Sequence, residues 1–337
     1  MAPLDRVRAL VAAARRLADP RDPLGREARA LLPGSTGLSP ENVELALSEI
    51  LETHPTDDEL HALVDSVEPA ARAHVQLAAN VFTAPLRAIA LALAQSADVQ
   101  VRASRREPVF TRSLSEASGA FEVVESLSPK PGDHLWAYGS DTTLGELEQT
   151  LPPGVVLHAF GSGFGLAVVG THDPAAELAL DIVPFDQRGC LSPRVAVVVG
   201  SREEARAFAR SLAHELTELA ERVPVGRLDD DERAESVRLR ETLSYAGELF
   251  PAGPGWVALD DAERRLIPAP SGRNLVVVRS DADLSWLSAY SQSIVAVGAR
   301  DALRELPETR CSPLGAMQRP RFDGPVDGRS SARARLL

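Results

Sequence analysis

Lysine is nearly absent from this chain of 337 residues: Lys130 is the only one, although lysine and arginine together number 36. A Schiff-base mechanism needs a lysine amine, and a phosphate-binding P-loop needs a lysine within the pattern GxxxxGK[ST], which does not occur here. The sequence therefore argues against both kinds of site.

Three further absences narrow the function. The seven histidines make no HExxH pattern and no tight cluster with cysteine, so the sequence predicts no metal site. No apolar run approaches the roughly 20 residues that a membrane-spanning helix needs, so no membrane span is expected. A net charge of −12, spread along the chain, argues against a surface for nucleic acid or anionic lipid.

Cysteine is also scarce, since only Cys190 and Cys311 occur and they lie far apart. Disulfides are rare in reducing compartments, and the N-terminus does not have the pattern of a signal peptide. A cytoplasmic location is the expectation from these two observations.

What the chain has is enough hydrophobic sequence, 44% of its residues, for two domains with substantial cores. Short apolar runs at 99–102, 135–138, 155–157 and 166–169 alternate with helical segments, which predicts an α/β protein with a parallel sheet covered on both faces. Runs at 194–199, 256–259, 275–278 and 294–297 predict a second α/β domain.

Helix starts are marked by capping residues. Ser39 precedes Pro40, Thr56 stands three residues before Glu59, and Ser201 stands three residues before Glu204. By contrast, residues 19–37 are rich in proline, glycine and arginine and are expected to form a loop or a broken helix.

Ligands of a parallel sheet bind at the carboxyl ends of its strands, so polar residues there are candidate binding residues. A glycine-serine turn at a helix start offers donors to phosphate, and arginines can pair with a ribose 2′-phosphate. The alternative is that these glycines close turns and that the arginines are solvated. The residues that follow the predicted strands are Asn80, Arg102, Ser104, Arg105, Arg106, Gly139, Ser140, Gly161 and Ser162.

Cys190 follows a glycine and precedes the strand predicted at 194–199. A thiolate is the reactive form of cysteine, and backbone N–H groups at a turn stabilise it, so this position suits a nucleophile. The alternative is a small buried hydrophobic residue. Cys311 lies in a segment rich in proline and glycine and is expected to be structural or merely exposed.

Taken together, these features resemble the aldehyde dehydrogenase superfamily, and more narrowly the fatty acyl-CoA reductases of bacterial bioluminescence. The resemblance runs from about residue 39 to residue 328. It rests on Asn80 with Pro85, Arg102 with Ser104, Gly139-Ser140 with Gly145, the stretches 158–163 and 185–193, Ser291-Gln292-Ser293, and 315–320 with Asp327-Gly328.

The resemblance implies an aldehyde dehydrogenase-like α/β fold, with a Rossmann-like dinucleotide-binding domain, an α/β catalytic domain and the active site between them. Residues 1–170 would form the N-terminal helices and the dinucleotide-binding domain, and residues 171–297 the catalytic domain. Residues 298–337 would return to the first domain, with a disordered end. The chain is shorter than a usual family member, chiefly at the N-terminus.

The same resemblance implies the chemistry. Cys190 would attack an acyl-CoA thioester, and the Asn80 amide with the Cys190 N–H would stabilise the oxyanion. Arg102 and Ser104, with Arg105 or Arg106, would hold the adenosine side of NADPH, and Gly139 and Ser140 would lie near its pyrophosphate. Gly161 and Ser162, after the next strand, are further candidate cofactor-binding residues. The product would be an aldehyde, and no metal would take part.

One departure bears on the reaction. In aldehyde-oxidising relatives a glutamate begins the stretch that corresponds to 158–164 and activates water, whereas no carboxylate occurs here between residues 157 and 170. Hydrolysis of an acyl-cysteine to a free acid should then be slow, which favours a reductase. His158 could take the place of that base, although a histidine leaving a strand is more often structural.

Two alternatives remain open at this stage. One is an acyl-phosphate reductase of the glutamyl phosphate type, with the same cysteine and a different leaving group. The other is a catalytically silent relative that binds a nucleotide or a partner. Expected partners are an acyl-CoA substrate and either a second copy of the chain or the synthetase and transferase subunits of the bioluminescence enzymes.

Overall fold

The structure is a computed structural model that describes residues 1–78, 81–170, 172–329 and 334–337. It divides into two compact units. The first comprises Met1–Thr36, Val43–Ser162 and Arg321–Leu337, and the second comprises Gly37–Asn42 and Gly163–Pro320. These bounds differ from the predicted domain limits at 170 and 297, and the assignment of functions to the predicted domains stays a prediction.

Helices and strands alternate along most of the chain. The helices of the described residues are α1 (Pro3–Ala18), α2 (Pro23–Thr36), α3 (Pro40–Leu45), α4 (Asp57–Asp65), α5 (Pro85–Gln95), α6 (Val109–Ser118), α7 (Asp141–Thr150), α8 (Ala175–Ile182), α9 (Arg202–Arg222) and α10 (Asp230–Ala246). A π-helical turn, Ala46–Ile50, follows α3, and 3₁₀ turns form at Pro184–Gln187 and Ser285–Tyr290.

The strands are β1 (Ala73–Gln76), β2 (Val99–Arg102), β3 (Glu122–Val123), β4 (His134–Tyr138), β5 (Val156–Phe160), β6 (Phe164–Val169), β7 (Pro193–Val199), β8 (Gly247–Ala252), β9 (Gly255–Asp260), β10 (Leu275–Ser280), β11 (Ile294–Gly298), β12 (Arg310–Ser312) and β13 (Arg335–Leu336). These bounds confirm the predicted strands to within two residues at most ends.

The predicted helix caps are made. Thr56 and Glu59 bond each other's backbone N–H at the start of α4, and Ser201 and Glu204 do the same at the start of α9. Each pair satisfies two backbone donors that a helix start would otherwise leave unpaired.

The first unit contains a sheet in the order β13-β5-β4-β1-β2-β3. Strands β1 to β5 are parallel, and β13 pairs antiparallel with the edge strand β5. The chain runs outward from β1 through β2 to β3 and then outward again, on the other side of β1, through β4 to β5. The strand order therefore reverses between β1 and β4, where ligands of open parallel sheets bind.

The second unit contains a sheet in the order β12-β11-β6-β7-β10-β9-β8, parallel except for the antiparallel pair β8–β9. One face packs into a core that includes Leu166, Val197, Val276 and Val278, all fully or almost fully buried. The strands of this sheet read as continuous apolar runs because helices and loops cover both faces.

The structure corrects three expectations. Of the two alternatives for residues 19–37, the broken helix is confirmed and the loop is wrong, since α1 ends at Ala18 and α2 begins at Pro23. Pro23 sits in the first turn of α2, where no N–H is needed, and Ala28 and Leu32 are buried. Strand β6 belongs to the second sheet, since the three residues after β5 are too few for a parallel crossover. Arg335–Leu336 pair with β5, where a disordered end was expected.

A chain of hydrogen bonds crosses the face of the first sheet beside α5. Trp136 Nε1 donates to Gln95 Oε1 over 2.9 Å, and Gln95 Nε2 lies 2.8 Å from His134 Nδ1. An indole N–H can only donate, so the Gln95 amide must donate to His134, and His134 Nδ1 must accept. His158 Nε2, 3.0 Å from the same His134 nitrogen, must then donate.

This order of donors requires the His134 imidazole to be neutral, whereas Nε2 of His158 can donate in either protonation state. Burial lowers the pKa of His134, and burial followed by the charge of His134 lowers the pKa of His158 to about 4. The Trp136 and His158 rings stack at a centroid distance of 3.9 Å, so protonation of His158 would place a charge within a packed aromatic stack.

The buried histidine pair predicts that the protein loses stability in mild acid. Between the ordinary pKa of histidine and about 4, the unfolded chain binds a proton at His158 that the folded chain does not bind. The free energy of unfolding should therefore fall as the pH falls through this window, by up to about 1.4 kcal/mol per pH unit for one proton. Urea unfolding at pH 7.5, 6.5 and 5.5 measures the slope.

The His158→Gln variant should show a shallower slope than the wild type. The matched control is His172→Gln, since His172 is exposed and its replacement should leave the slope as it is. Equal slopes for the wild type and His158→Gln would contradict the prediction.

Candidate active site

Cys190 lies in a turn between α8 and β7, and it is exposed. This exposure removes the alternative of a buried structural cysteine. The residues before it, Phe185, Asp186 and Gln187, have φ angles of 57°, 50° and 66°. Each is a non-glycine residue in the left-handed region, which costs about 1–2 kcal/mol per residue, so the turn must be held by other contacts.

Asp186 makes most of those contacts. Its side chain accepts from Arg273 Nη2 at 2.9 Å, from Asn42 Nδ2 at 3.0 Å and from the Gly226 N–H at 2.9 Å. Neither the Asp186 nor the Arg273 side chain has any solvent exposure. Asn42 Oδ1 accepts from the Phe185 N–H at 2.9 Å, so one amide holds two residues of the turn.

Gln187 ties the other side of the turn to the second sheet. Its amide donates to Pro193 O at 2.7 Å and to Asn274 O at 2.6 Å, and its Oε1 accepts from the Asn274 N–H at 2.9 Å. The Gln187 side chain thus bonds the left-handed segment to Pro193, the first residue of β7, and to Asn274, the residue before β10.

Residues after Cys190 are held from two directions. The Gly165 N–H donates to Ser192 O at 3.1 Å, and a Cβ on Gly165 would lie 2.4 Å from Leu191 O, so only glycine fits this position of β6. Gln318 Nε2 donates to Ser192 Oγ at 3.2 Å.

The segment that carries Gln318 is itself fixed by Asp181 of α8. The Gly315 and Met317 N–H groups donate to its carboxylate at 2.7 and 2.9 Å. Burial raises the pKa of Asp181 to about 7, against the effect of these two donors. Asp181 is therefore a buried anchor that joins α8 to the segment on which Gln318 lies.

Two arginines flank the cysteine in the sequence, and they differ in their partners. Arg188 forms a bidentate ion pair with Glu232 of α10, with N–O distances of 2.7 and 3.0 Å. Arg194 instead donates to the carbonyls of Ala269 and Gln187 and to Ser271 Oγ. Among the described residues, no carboxylate forms an ion pair with the Arg194 guanidinium.

The candidate cofactor residues lie at the carboxyl ends of the first sheet. Arg102 ends β2 and donates to Gln76 Oε1 of β1 at 3.4 Å. Ser104 accepts from the Arg106 N–H at 3.2 Å, and Arg105 is exposed. Asn80 lies outside the described residues, so its oxyanion role stays a prediction.

The two glycine-serine motifs, Gly139-Ser140 and Gly161-Ser162, are brought together. Ser140 caps α7, accepting from the Thr143 N–H at 3.2 Å. Asp141 Oδ1 accepts from the Ser162 N–H at 2.8 Å, and a Cβ on Gly161 would lie 2.3 Å from the same oxygen. A side chain at position 161 would therefore push the Asp141 carboxylate away from its bond with Ser162.

Several residues of the site were missed by the sequence analysis. Asn42 and Arg273 stand 144 and 87 residues from Asp186, and nothing in the sequence near them indicates a contact with the turn. Arg329 donates to Ser162 O at 2.9 Å and pairs with Asp327, the aspartate that the resemblance included. Of these residues, only Asp327 was indicated by the sequence, as part of the motif that carries the resemblance.

A family model described as acyl-CoA reductase (LuxC) matches residues 118–331, well over half of the chain. The chain belongs to the LuxC acyl-CoA reductase family. This confirms the predicted resemblance and identifies the protein as an oxidoreductase that acts on acyl groups and forms aldehydes. The matched range includes Cys190 and both glycine-serine motifs.

Solved structures confirm the aldehyde dehydrogenase-like fold of this LuxC family member. An aldehyde dehydrogenase from Mycobacterium tuberculosis complexed with NAD⁺ is 17% identical, with a TM-score of 0.63 over 92% of this chain and 77% of that chain. An NADP-dependent enzyme from E. coli is 15% identical, with a TM-score of 0.68 over 94% and 78%. Comparison with curated protein sequences gives no match.

Two properties complete the description of this LuxC family member. Within residues 1–78, 81–170, 172–329 and 334–337, no three His, Cys, Asp or Glu side chains are grouped so that they could hold a metal ion. In the same part of the chain, no helix combines the length and the apolar character needed to cross a membrane.

The buried ion pair predicts a large effect of an isosteric substitution. Asp186→Asn removes the charge and leaves Arg273 buried without its counter-ion, so the free energy of unfolding should fall by about 3–5 kcal/mol. Urea unfolding followed by circular dichroism measures the loss.

The matched control is Asp261→Asn, which breaks the exposed Arg202–Asp261 pair and should cost less than about 1 kcal/mol. Similar losses for the two variants would show that the buried pair does not stabilise the turn.

Proposed function

We propose that this protein reduces an acyl-CoA thioester to an aldehyde through an acyl-cysteine on Cys190, with NADPH as the reductant. The observation that carries the proposal is an exposed thiol in a turn that three left-handed residues shape and a buried ion pair holds. Strained backbone at a fixed position is typical of catalytic sites, and the chain belongs to a family of acyl-CoA reductases.

Cys190 acts first, as a thiolate that attacks the thioester carbonyl. The tetrahedral oxyanion would accept hydrogen bonds from the Cys190 N–H and from the Asn80 amide, each of which is worth roughly 10²–10³ in rate. Collapse of this intermediate expels CoA as a thiolate, which takes up a proton, and leaves the acyl group on Cys190. When bound, NADPH would supply the hydride, and with a proton from water the acyl-cysteine would become a thiohemiacetal.

Collapse of the thiohemiacetal releases the aldehyde and returns the Cys190 thiolate, with the proton of the hydroxyl passing to water or to a nearby base. Hydrolysis of the acyl-cysteine would compete with reduction, but no carboxylate occurs between residues 157 and 170 to activate water. This absence supports aldehyde rather than free acid as the product.

The residues of the first unit fit a nicotinamide dinucleotide. The reversal of strand order between β1 and β4 is the usual place for such a ligand. Gly139 and the N-cap residue Ser140 lie there, directly before the ten-residue helix α7. Arg102 ends β2, and Ser104 and Arg105 follow it, so a 2′-phosphate at this point would meet two guanidinium groups. Gly161 and Ser162 complete the edge on β5.

The acyl-cysteine predicts a mass gain confined to one residue. Incubation with a panel of acyl-CoA esters without NADPH should add one acyl group per chain, and peptide mapping should place it on Cys190. Cys190→Ser should lose the adduct and at least 10³-fold in aldehyde formation. Intact-mass spectrometry measures the adduct and reports the preferred chain length.

Cys311→Ser is the matched control and should keep the adduct and the activity. Its thiol is partly buried on β12, and burial raises its pKa. If an acyl phosphate acylates Cys190 and CoA esters do not, the substrate is an acyl phosphate and the leaving group is phosphate instead of CoA. Binding of NADP(H) without any acylation would overturn the enzymatic proposal and leave a nucleotide-binding relative.

The arginines after β2 predict a preference for NADPH over NADH. Arg102→Ala should raise the KM for NADPH by about tenfold or more and leave the KM for NADH within twofold, because only NADPH carries the 2′-phosphate. The control Arg112→Ala removes an exposed arginine from α6 and should change neither constant. Equal effects of Arg102→Ala on both cofactors would contradict the assignment.

A further inference from the structure

We propose that the guanidinium of Arg194 is the counter-charge of the Cys190 thiolate and holds the nucleophile in its ionised form. This inference rests on the proposed function, in which Cys190 is the nucleophile. It assigns a role to an arginine on β7 that the mechanism above does not use.

Arg194 is fixed in place by neutral acceptors. Its Nη1 donates to Ala269 O at 3.1 Å, and its Nη2 donates to Ser271 Oγ at 3.3 Å and to Gln187 O at 3.4 Å. Gln187 belongs to the left-handed segment before Cys190, so the guanidinium is bonded directly to the turn that carries the thiol. Three acceptors on two segments, one at 269–271 and the other at Gln187, leave the group little freedom to turn away.

Within the described residues, no carboxylate forms an ion pair with the Arg194 guanidinium. In the same part of the chain, its Nε is buried without a hydrogen-bond partner. A guanidinium stays protonated in proteins, and a buried charge is costly unless an opposite charge lies nearby. The position therefore favours an anion, and the thiol four residues earlier in the chain can supply one.

Other charges around the turn are already paired or exposed to solvent. Arg188 pairs with Glu232 of α10, and Asp186 pairs with Arg273. Burial lowers the pKa of Arg194, while Glu235 of α10, the Cys190 thiolate and Glu232 act in the opposite direction. Glu235 is exposed, so water weakens its effect, and Cys190 is the interacting group within the turn itself.

The consequence for Cys190 follows by reciprocity. If the thiolate stabilises the guanidinium, the guanidinium stabilises the thiolate by the same free energy, so the thiol ionises at a lower pH than an isolated cysteine. At neutral pH a larger fraction of Cys190 would be ready to attack a thioester. A purely structural arginine would have no such effect on the titration of the thiol.

The test measures the pH dependence of alkylation by iodoacetamide in a Cys311→Ser background, with the site confirmed by peptide mapping. The alkylation midpoint of Arg194→Met should rise by about one pH unit or more, and the rate at pH 7 should fall about tenfold. Arg194→Gln is the second neutral variant, because its amide can still donate to a carbonyl if Arg194→Met fails to fold. Arg194→Lys keeps the charge and should restore most of the shift.

The control Arg206→Met removes one positive charge from the half-buried Arg206–Glu248 pair, which joins α9 to β8, and should leave the midpoint unchanged. A folded neutral variant of Arg194 with the wild-type midpoint overturns the inference. The outcome is separate from that of the proposed function: if acyl-CoA esters fail to acylate wild-type Cys190, the proposed function fails, whatever the alkylation midpoint of the Arg194 variants.

Discussion

Asp186 and Arg273 form an ion pair whose two side chains are both fully buried, and the turn before Cys190 depends on it. Three successive left-handed residues cost about 3–6 kcal/mol of backbone energy together. The contacts of the Asp186 carboxylate with Arg273, Asn42 and Gly226 contribute a stabilising free energy of comparable size. The thiol is therefore presented by a conformation that the local sequence disfavours and that the surrounding unit enforces.

The rest of the second unit is arranged around the same turn. Gly165 brings β6 against the backbone after Cys190, Gln187 fastens the turn to β10, and Asp181 holds the segment that reaches Ser192 through Gln318. Each contact reaches a different strand, helix or loop. A parallel sheet is well suited to this task because its strands are rigid and its loops carry the chemistry.

Much of the fold was predictable because its signals are local. Apolar runs marked most strands, the pairs Thr56–Glu59 and Ser201–Glu204 marked helix starts, and the motif around Cys190 indicated the family that the comparison confirmed. Strand β1 was not predicted, because four residues are too few to show a clear hydrophobic pattern and because His74 within it is polar but buried. Helix α2 was predicted only as one of two alternatives, because its prolines and glycines were compatible with a loop as well as with a broken helix.

The site was predictable only in part, for a physical reason. Cys190, Gly139-Ser140 and Gly161-Ser162 belong to motifs whose residue types fit their chemistry at short spacing. The Asp186 contacts that hold the turn join residues 40 to 144 positions apart. A left-handed φ at Phe185, Asp186 or Gln187 cannot be recognised from the sequence, because these residue types usually adopt ordinary backbone conformations. Contacts of this kind become visible only in three dimensions.

Those long spans give the left-handed turn one further property. Closing loops of this length is entropically unfavourable until most of the unit is assembled, so the turn cannot take its shape early in folding. A nascent or partly unfolded chain would carry an ordinary, slow thiol at Cys190. Heightened reactivity toward electrophiles would then arise only with the finished tertiary structure, and the cysteine would serve as an internal reporter of native assembly.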